Sequence, residues 1–333
     1  MRIGLAGAGR IGSMHAGVLA AMEPVETVVV ADVDPARSAA VADVVGGEAC
    51  ACVESLFDSC VDALVVASST DSHAGLVMAA VAAGLPVFCE KPVAADIEST
   101  LKVIAAIEDS DVPVQVGFQR RFDAGYLAAR ERVARGDLGF VHTLRSCTLD
   151  PAPPPAAYLA TSGGIFRDCA LHDIDSIRWI TGREVVRAYA VGTNQGAGFF
   201  AEAGDVATAS AMLSLDDGST GLVTCTRYNG AGYDVRLEVL GERGSVVAGL
   251  DERTPLRSTE PGATSPRGTP WAAFAERFAP AYVAELRAFL ALVARPGPSP
   301  CTPADALEAL YVAEACDLSR RESRPVAVAE VRR

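Results

Sequence analysis

Several groups of residues in this 333-residue chain have the type and spacing to do chemistry. Gly7-Ala8-Gly9-Arg10-Ile11-Gly12 is a G-x-G-x-x-G run that follows a short apolar segment, Ile3–Ala6, and opens a stretch of helical periodicity, Ile11–Met22. Glycines at those positions permit a tight turn and a close approach of the backbone to a pyrophosphate, which then sits on the helix N-terminus. Asp32 closes a β-branched run, Thr27–Ala31, twenty residues after Gly12. A carboxylate there accepts hydrogen bonds from ribose hydroxyls and repels a 2′-phosphate, which favours NAD as the ligand. Arg37 is the one nearby cation able to offset that repulsion. A glycine turn with no ligand is the alternative, and the strand–turn–helix context with the acid in place weighs against it. Ser68 and Thr70, just past the apolar run Ala63–Ala67, complete the candidate cofactor set together with His73, Glu90 and Lys91.

A second group is Glu90-Lys91-Pro92, directly after the apolar run Val87–Cys89. A lysine at the end of a strand in an open α/β sheet points into the crevice where such sheets bind ligands, although a plain surface lysine is the ordinary alternative. Asp168 and His172 stand four apart in a segment of helical spacing, Ile165–Thr181, which predicts that both project from one face. A carboxylate beside an imidazole can orient a general base or hold substrate hydroxyls. A local Asp–His pair and a metal site are the other readings. Asp173 and Asp175 are near but point to other faces, so no third ligand joins the pair and no metal is expected. Arg120-Arg121, just past Gly117, either holds hydroxyls or a phosphate or forms ion pairs. His142 falls in a strand pattern and reads as structural, while His15 and His73 lie on predicted helices as cofactor neighbours or ordinary helix residues.

These residues need elements that fix them. Over residues 1–118, apolar runs at Ile3–Ala6, Thr27–Ala31, Ala63–Ala67, Val87–Cys89 and Val114–Val116 alternate with helical segments at Ile11–Met22, Pro35–Val45, Ser72–Ala83 and Asp96–Glu108. Buried strands separated by helices predict a doubly wound parallel sheet covered on both faces, an α/β fold. Residues 119–333 change pattern. Helices at Ala124–Arg135 and Ile165–Thr181 flank a strand, Phe140–Leu149, and a stiff loop, Pro151–Pro155. Strands then recur at Val185–Val191, Ala207–Leu215, Ser219–Thr226, Tyr233–Leu240 and Ser245–Ala248, before helices at Trp271–Ala294 and Ala304–Arg320. Turn signals between those strands predict an α+β domain around a large open, mainly antiparallel sheet.

With 50% hydrophobic and 21% charged residues, the chain has ample material for a core, which excludes global disorder. No apolar run reaches the ~18–20 residues of a membrane span, and no signal-peptide pattern follows Met1. A net charge of −13 argues against nucleic acid, whose phosphates would be repelled. Nine cysteines without a C-x-x-C pair read as free, mostly buried thiols in a reducing compartment. The expectation is a cytoplasmic globular protein with no membrane and no nucleic-acid partner.

With those residues in place, the chain resembles the Gfo/Idh/MocA family of NAD(P)-dependent oxidoreductases, and within it the inositol 2-dehydrogenases. The likeness rests on Gly7–Gly12, on Phe88-Cys89-Glu90-Lys91-Pro92, on the runs Val114–Asp123 and Asp168–Asp175, on Gly232-Tyr233-Asp234, and on the stretch from Arg277-Phe278 to Ala281-Tyr282. It implies that residues 1–118 form an NAD-binding Rossmann domain and residues 119–333 a substrate-binding and oligomerisation domain. It implies a catalytic set of Lys91, Asp168 and His172 with His172 as the base, and a polyol site that also includes Arg120, Asp150 and Tyr233. It further implies that the second domain's sheet face builds a homotetramer or homodimer. Two places depart from the pattern: Ala231 stands where a second tyrosine is familiar, and Asp150 where an asparagine is. Both bear on which polyol is taken. The implied activity is NAD-dependent oxidation of a secondary hydroxyl of a cyclitol or sugar-like polyol. A ketosugar reductase, a glycoside hydrolase of the same fold that retains NAD, and a non-catalytic sensor are the rivals, and intact Lys91 and His172 count against the sensor.

Overall fold

A computed structural model describes residues 1–108, 110–264 and 266–332. Its chain divides into two units, Met1–Gln119 with Pro280–Leu307, and Arg120–Ala279 with Glu308–Arg333.

The first unit begins β1 (Arg2–Ala6), α1 (Arg10–Ala20), β2 (Thr27–Ala31), α2 (Pro35–Val45) and β3 (Glu48–Ala49), and continues β4 (Ala63–Val66), α3 (Thr70–Ala82), β5 (Val87–Glu90), α4 (Ile97–Glu108) and β6 (Val114–Gly117). Its strands form one parallel sheet in the order β3-β2-β1-β4-β5-β6. The chain leaves β1 toward one edge and returns at β4 toward the other, so the ends of β1 and β4 flank the switch point where such sheets bind ligands. Local chemistry sets the helix limits. Asp34 caps α2 by accepting from the Ala36 N–H, Pro35 takes the first turn, and Gly46 closes the helix in the left-handed region at φ 65°. β3 has only two residues, too few to carry a periodicity, and it goes unread in the sequence.

The second unit holds α5 (Ala124–Ala134), β7 (Val141–Leu149), α6 (Ala156–Ser162), α7 (Leu171–Thr181), β8 (Val185–Thr193), α8 (Phe199–Glu202), β9 (Thr208–Leu215), β10 (Thr220–Thr226), β11 (Asp234–Gly241) and β12 (Gly244–Ala248). Next come α9 (Phe274–Arg277), α10 (Ala279–Ala294), α11 (Pro303–Glu322) and β13 (Val326–Ala327). The strands form a seven-stranded sheet in the order β12-β11-β7-β10-β9-β8-β13, antiparallel except for the β7–β10 pair. Side chains alternate between the two faces. One face is buried, with Leu144, Leu213, Val223 and Leu237, while the other exposes Tyr189, Met212, Leu222 and Val247.

Three expectations need correction. The sequence assigns all of 119–333 to one domain, yet Pro280–Leu307 belongs with the first unit. The reason is packing: Leu286, Phe289 and Leu290 of α10 share a core with Ile3, Leu5, Val28 and Phe88. The helix expected over Trp271–Ala294 is two, α9 and α10, with Pro280 in the first turn of the second. Trp271 instead pairs with Tyr233 in an isolated bridge. Finally, Ile165–Thr181 is not uniformly α-helical, because Phe166–Ala170 forms a π-helical turn before α7.

Candidate active site

In the first unit the glycine turn has the geometry its motif requires. Gly7 sits at φ 103°, and a Cβ there would lie 2.6 Å from the Ala67 carbonyl oxygen and the Ser68 backbone. A Cβ on Gly12 would meet the Gly7 carbonyl oxygen at 1.9 Å, so only glycine lets α1 start this close to β1. A Cβ on Gly9 would project into open space, which leaves the mouth of the turn clear. No side chain caps α1 and no acid lies in its first turn, so its N–H groups face that space without a competing carboxylate. Asp32 is held in place by accepting from the Ala8 N–H at 2.7 Å and the Asp34 N–H at 2.9 Å. Each carboxylate oxygen keeps a further lone pair for a ribose hydroxyl. Arg37 lies 3.8 Å from Asp32 and 3.5 Å from Asp34, so its charge is already matched by two carboxylates. Arg10 is exposed at the start of α1, and Ile11 packs against the core. These residues fit a dinucleotide with free ribose hydroxyls.

Other candidates are placed differently. Ser68 turns its hydroxyl to Ser72 at 2.6 Å, and Thr70 begins α3. His73 is buried, with Nδ1 2.8 Å from the Pro92 carbonyl oxygen and Nε2 3.1 Å from that of Ser68. It braces the Ser68 and Pro92 loops. Glu90 likewise turns inward, with Oε1 2.7 Å from Nε2 of the buried His15. Lys91 follows at the end of β5, half-buried.

In the second unit Asp168 lies within the π-helical turn, introduced by Gly163 and Gly164 at φ 76° and 90°. π-Turns recur at functional sites, and this one carries Asp168 and runs directly into the first turn of α7, where His172 is half-buried. Asp168 accepts from the Arg227 guanidinium through Oδ2 and from the Tyr158 hydroxyl at 2.9 Å through Oδ1. Arg227 also donates to Asp150 Oδ2 at 2.8 Å, so one cation joins both carboxylates. Burial works against the Arg227 charge, but Cys169, Asp168 and Asp150 around it raise its pKa above the ordinary value. Burial, then Asp168, raise the Tyr158 phenol, so it remains a donor. Tyr233 is buried, and that burial raises its phenol too.

Arg120 is 2% exposed and donates to Asp173 at 2.8 Å and Thr148 at 2.6 Å, between the rings of Tyr126 and Phe278. Arg121 holds Asp175 through two hydrogen bonds of 2.9 and 2.6 Å. The pair therefore braces α7, and the expectation that Arg120 presents itself to polyol hydroxyls gives way to that role. Asp173 and Asp175 are occupied by these arginines. His142 lies on β7, as its strand pattern implied, and is exposed there. Two residues of the cluster, Tyr158 and Arg227, go unread in the sequence. Tyr158 follows the proline loop on a seven-residue helix, and Arg227 sits one residue past β10 with no motif around it.

A dinucleotide cradle in one unit and a cluster of Asp168, Arg227, Asp150 and Tyr158 in the other fit one class, an NAD-dependent dehydrogenase acting on CH–OH groups. Comparison with known proteins agrees. Residues 1–118 match the model of the oxidoreductase family with an NAD-binding Rossmann fold, and residues 126–247 match that of the GFO/IDH/MocA C-terminal domain. The chain is 40% identical to myo-inositol dehydrogenase Hyg17 of Streptomyces leeuwenhoekii, over 98% of this chain and 100% of that protein. It is 36% identical to the myo-inositol 2-dehydrogenase of Thermotoga maritima, over 99% of each. Among solved structures it is similar to scyllo-inositol dehydrogenase from Lactobacillus casei with bound NAD(H) and scyllo-inositol, with a TM-score of 0.88, 30% identity and 99% of each chain covered. The chain belongs to the Gfo/Idh/MocA family of oxidoreductases.

Proposed function

We propose that this protein oxidises a secondary hydroxyl of a cyclitol or closely related polyol to the ketone, with NAD as the electron acceptor. Foremost support comes from Asp168, fixed by Arg227 and Tyr158 on the turn that leads into His172. When bound, NAD supplies the acceptor for the hydrogen that leaves the carbinol carbon with its electron pair. His172 takes the hydroxyl proton as general base. Asp168, with Arg227 beside it, accepts a neighbouring hydroxyl and orients the ring. Asp150 on the same guanidinium accepts another, and the buried Tyr233 phenol donates. Lys91 donates to the reacting oxygen and stabilises its developing negative charge. The inositol dehydrogenases among its relatives favour a ring bearing several hydroxyls as substrate.

The exposed sheet face supports a homo-oligomer. Tyr189, Met212 and Leu222 stand opposite one another on β8, β9 and β10, and each is at least 38% exposed. Such an exposed apolar row fits a second copy of the chain. Among the described residues no helix is long and apolar enough to cross a membrane. The nine cysteines are unbridged, which favours a reducing compartment such as the cytoplasm.

The test is NADH formation, followed by absorbance, when the purified protein meets NAD and a panel of inositols and aldoses. NADH with at least one cyclitol is expected. Cleavage of a nitrophenyl glycoside without net NADH, and no turnover of any cyclitol, would replace this reading with the hydrolase.

A further inference from the structure

His15 of α1, Glu90 of β5 and Glu285 of α10 bring an imidazole nitrogen and two carboxyl oxygens within 4.8 Å of one another. All three belong to the first unit. His15 and Glu285 are fully buried, and the Glu90 side chain is 14% exposed. The edges of Phe88 and Tyr282 close around the imidazole, with ring centroids 5.4 and 5.8 Å away. Neither carboxyl oxygen of Glu285 has a hydrogen-bond partner among the described residues, and nor does His15 Nδ1.

A fully buried carboxylate with no donor beside a second carboxylate is an arrangement proteins avoid, because desolvation and like charge both oppose it. One proton resolves the conflict. Burial, then the charge of Glu90, push the Glu285 carboxyl well above the carboxylate range. Among the described residues, no cation acts on Glu285 alongside them. Cys89 of β5 has its thiol pushed up by burial and by Glu90, and Gln115 of β6 donates its amide to the Glu285 backbone carbonyl at 2.9 Å. The 2.7 Å separation of His15 Nε2 and Glu90 Oε1 is that of a hydrogen bond. Two ligands on a tetrahedral zinc stand farther apart, at about 3.4 Å.

Glu90 also reaches the backbone of the next residue. Its Oε2 accepts from the Lys91 N–H at 3.3 Å, and a Cβ at Gly117 would crowd that same oxygen at 3.2 Å. On the other side of Lys91, the Pro92 carbonyl is held by His73. We propose that Glu285 is a neutral carboxylic acid that holds its own proton beside the His15–Glu90 pair, and that this triad is the positioning device for Lys91. The inference rests on Lys91 being a catalytic residue of the proposed dehydrogenase. A neutral Glu285 leaves Glu90 as the one negative charge of the triad, anchored by His15 and free of repulsion from behind. Glu285, Glu90 and His15 are positioning residues, acting through Lys91.

Full-length wild type, Glu285→Gln, Glu285→Leu and Glu90→Gln test this. Infrared spectra at about pH 8 should show the carbonyl stretch of a protonated carboxylic acid in the wild type, and Glu285→Gln should lose it. The sign of the stability change follows from linkage. Unfolded Glu285 releases its proton near the ordinary carboxylate pKa while the folded residue keeps it, so this group's stabilisation is lost as pH rises. The Tm of Glu285→Gln should therefore gain on wild type between about pH 5 and about pH 8. In turnover, Glu285→Gln should keep about tenfold more kcat than Glu285→Leu, because the amide preserves shape and neutrality. Glu90→Gln should lower kcat at least about tenfold with little change in the KM for NAD. Absence of the carboxylic-acid band, or a stoichiometric metal ion in the wild type that Glu285→Gln loses, would overturn the neutral acid. Equal kcat for the Gln and Leu variants, or an unchanged kcat in Glu90→Gln, would overturn the positioning role. If wild type forms no NADH with any polyol, the functional reading and the Lys91 role fall together, and the infrared and thermal results still decide the proton on Glu285.

Discussion

As the proposed base, His172 would act in its neutral form alone, since an imidazolium has no lone pair for the hydroxyl proton. Oxidation should accordingly slow as the pH is lowered. His172→Ala should lose roughly 10²–10⁴ in turnover, the range for a positioned general base. NAD affinity should stay near normal, because the glycine turn and Asp32 are untouched. Rapid-mixing measurement of NADH formation checks both, and a near-normal rate at neutral pH would move the proton to another group, first of all Lys91. At the other end of the chemistry, Asp32, the proposed partner of the ribose hydroxyls, is fixed by two backbone N–H groups. NAD should exceed NADP by at least about tenfold in kcat/KM, and Asp32→Ser should narrow the gap by removing the charge that repels a 2′-phosphate. Equal use of both cofactors by the wild type would contradict this role for Asp32.

The helix α7 shows how an element carries single residues to their work. Its first turn bears His172, and its buried face offers Asp173 and Asp175 to Arg120 and Arg121. Breaking the buried Arg121–Asp175 pair strands a charge in the interior, so Arg121→Met should cost about 3–5 kcal/mol. Urea unfolding measures it, and a loss of under about 1 kcal/mol would mean that the pair behaves as an exposed one. The sequence made the arginines and the aspartates visible, but not their pairing. They lie more than fifty residues apart, and burial has no local signature. The glycine turn and the Glu90-Lys91 strand end were legible for the opposite reason, since strand, turn and helix are contiguous there. Arg227, Tyr158 and Glu285 were not, because each acquires its partners only when distant elements pack. The π-turn at Phe166–Ala170 was hidden as well, since a π-helix and an α-helix draw on the same apolar spacing.

At the scale of the whole molecule, the seven-stranded sheet has two unlike faces. α5 and α7 lie on one side of it, and the other leaves Val186, Tyr189, Val191, Met212 and Leu222 between 38% and 50% exposed. Strand register lines up Tyr189, Met212 and Leu222 across three neighbouring strands, which makes a continuous apolar row and not scattered single residues. Arg145 and Glu238 extend the same row as an ion pair at 3.3 Å. In the proposed homo-oligomer this face would pair with itself about a two-fold axis, where the same patch serves both copies. The net charge of −13 opposes association at long range, so the proposed contact would draw on apolar burial and should strengthen with added salt. Multi-angle light scattering should find the wild type as a dimer or tetramer. Met212→Glu with Leu222→Glu should give a folded monomer, because the carboxylates would be desolvated in the contact yet tolerated where the side chains are exposed. Circular dichroism separates that outcome from unfolding. A monomeric wild type at assay concentration, or a double variant that keeps the wild-type mass, would show that this face is not the one that joins the copies.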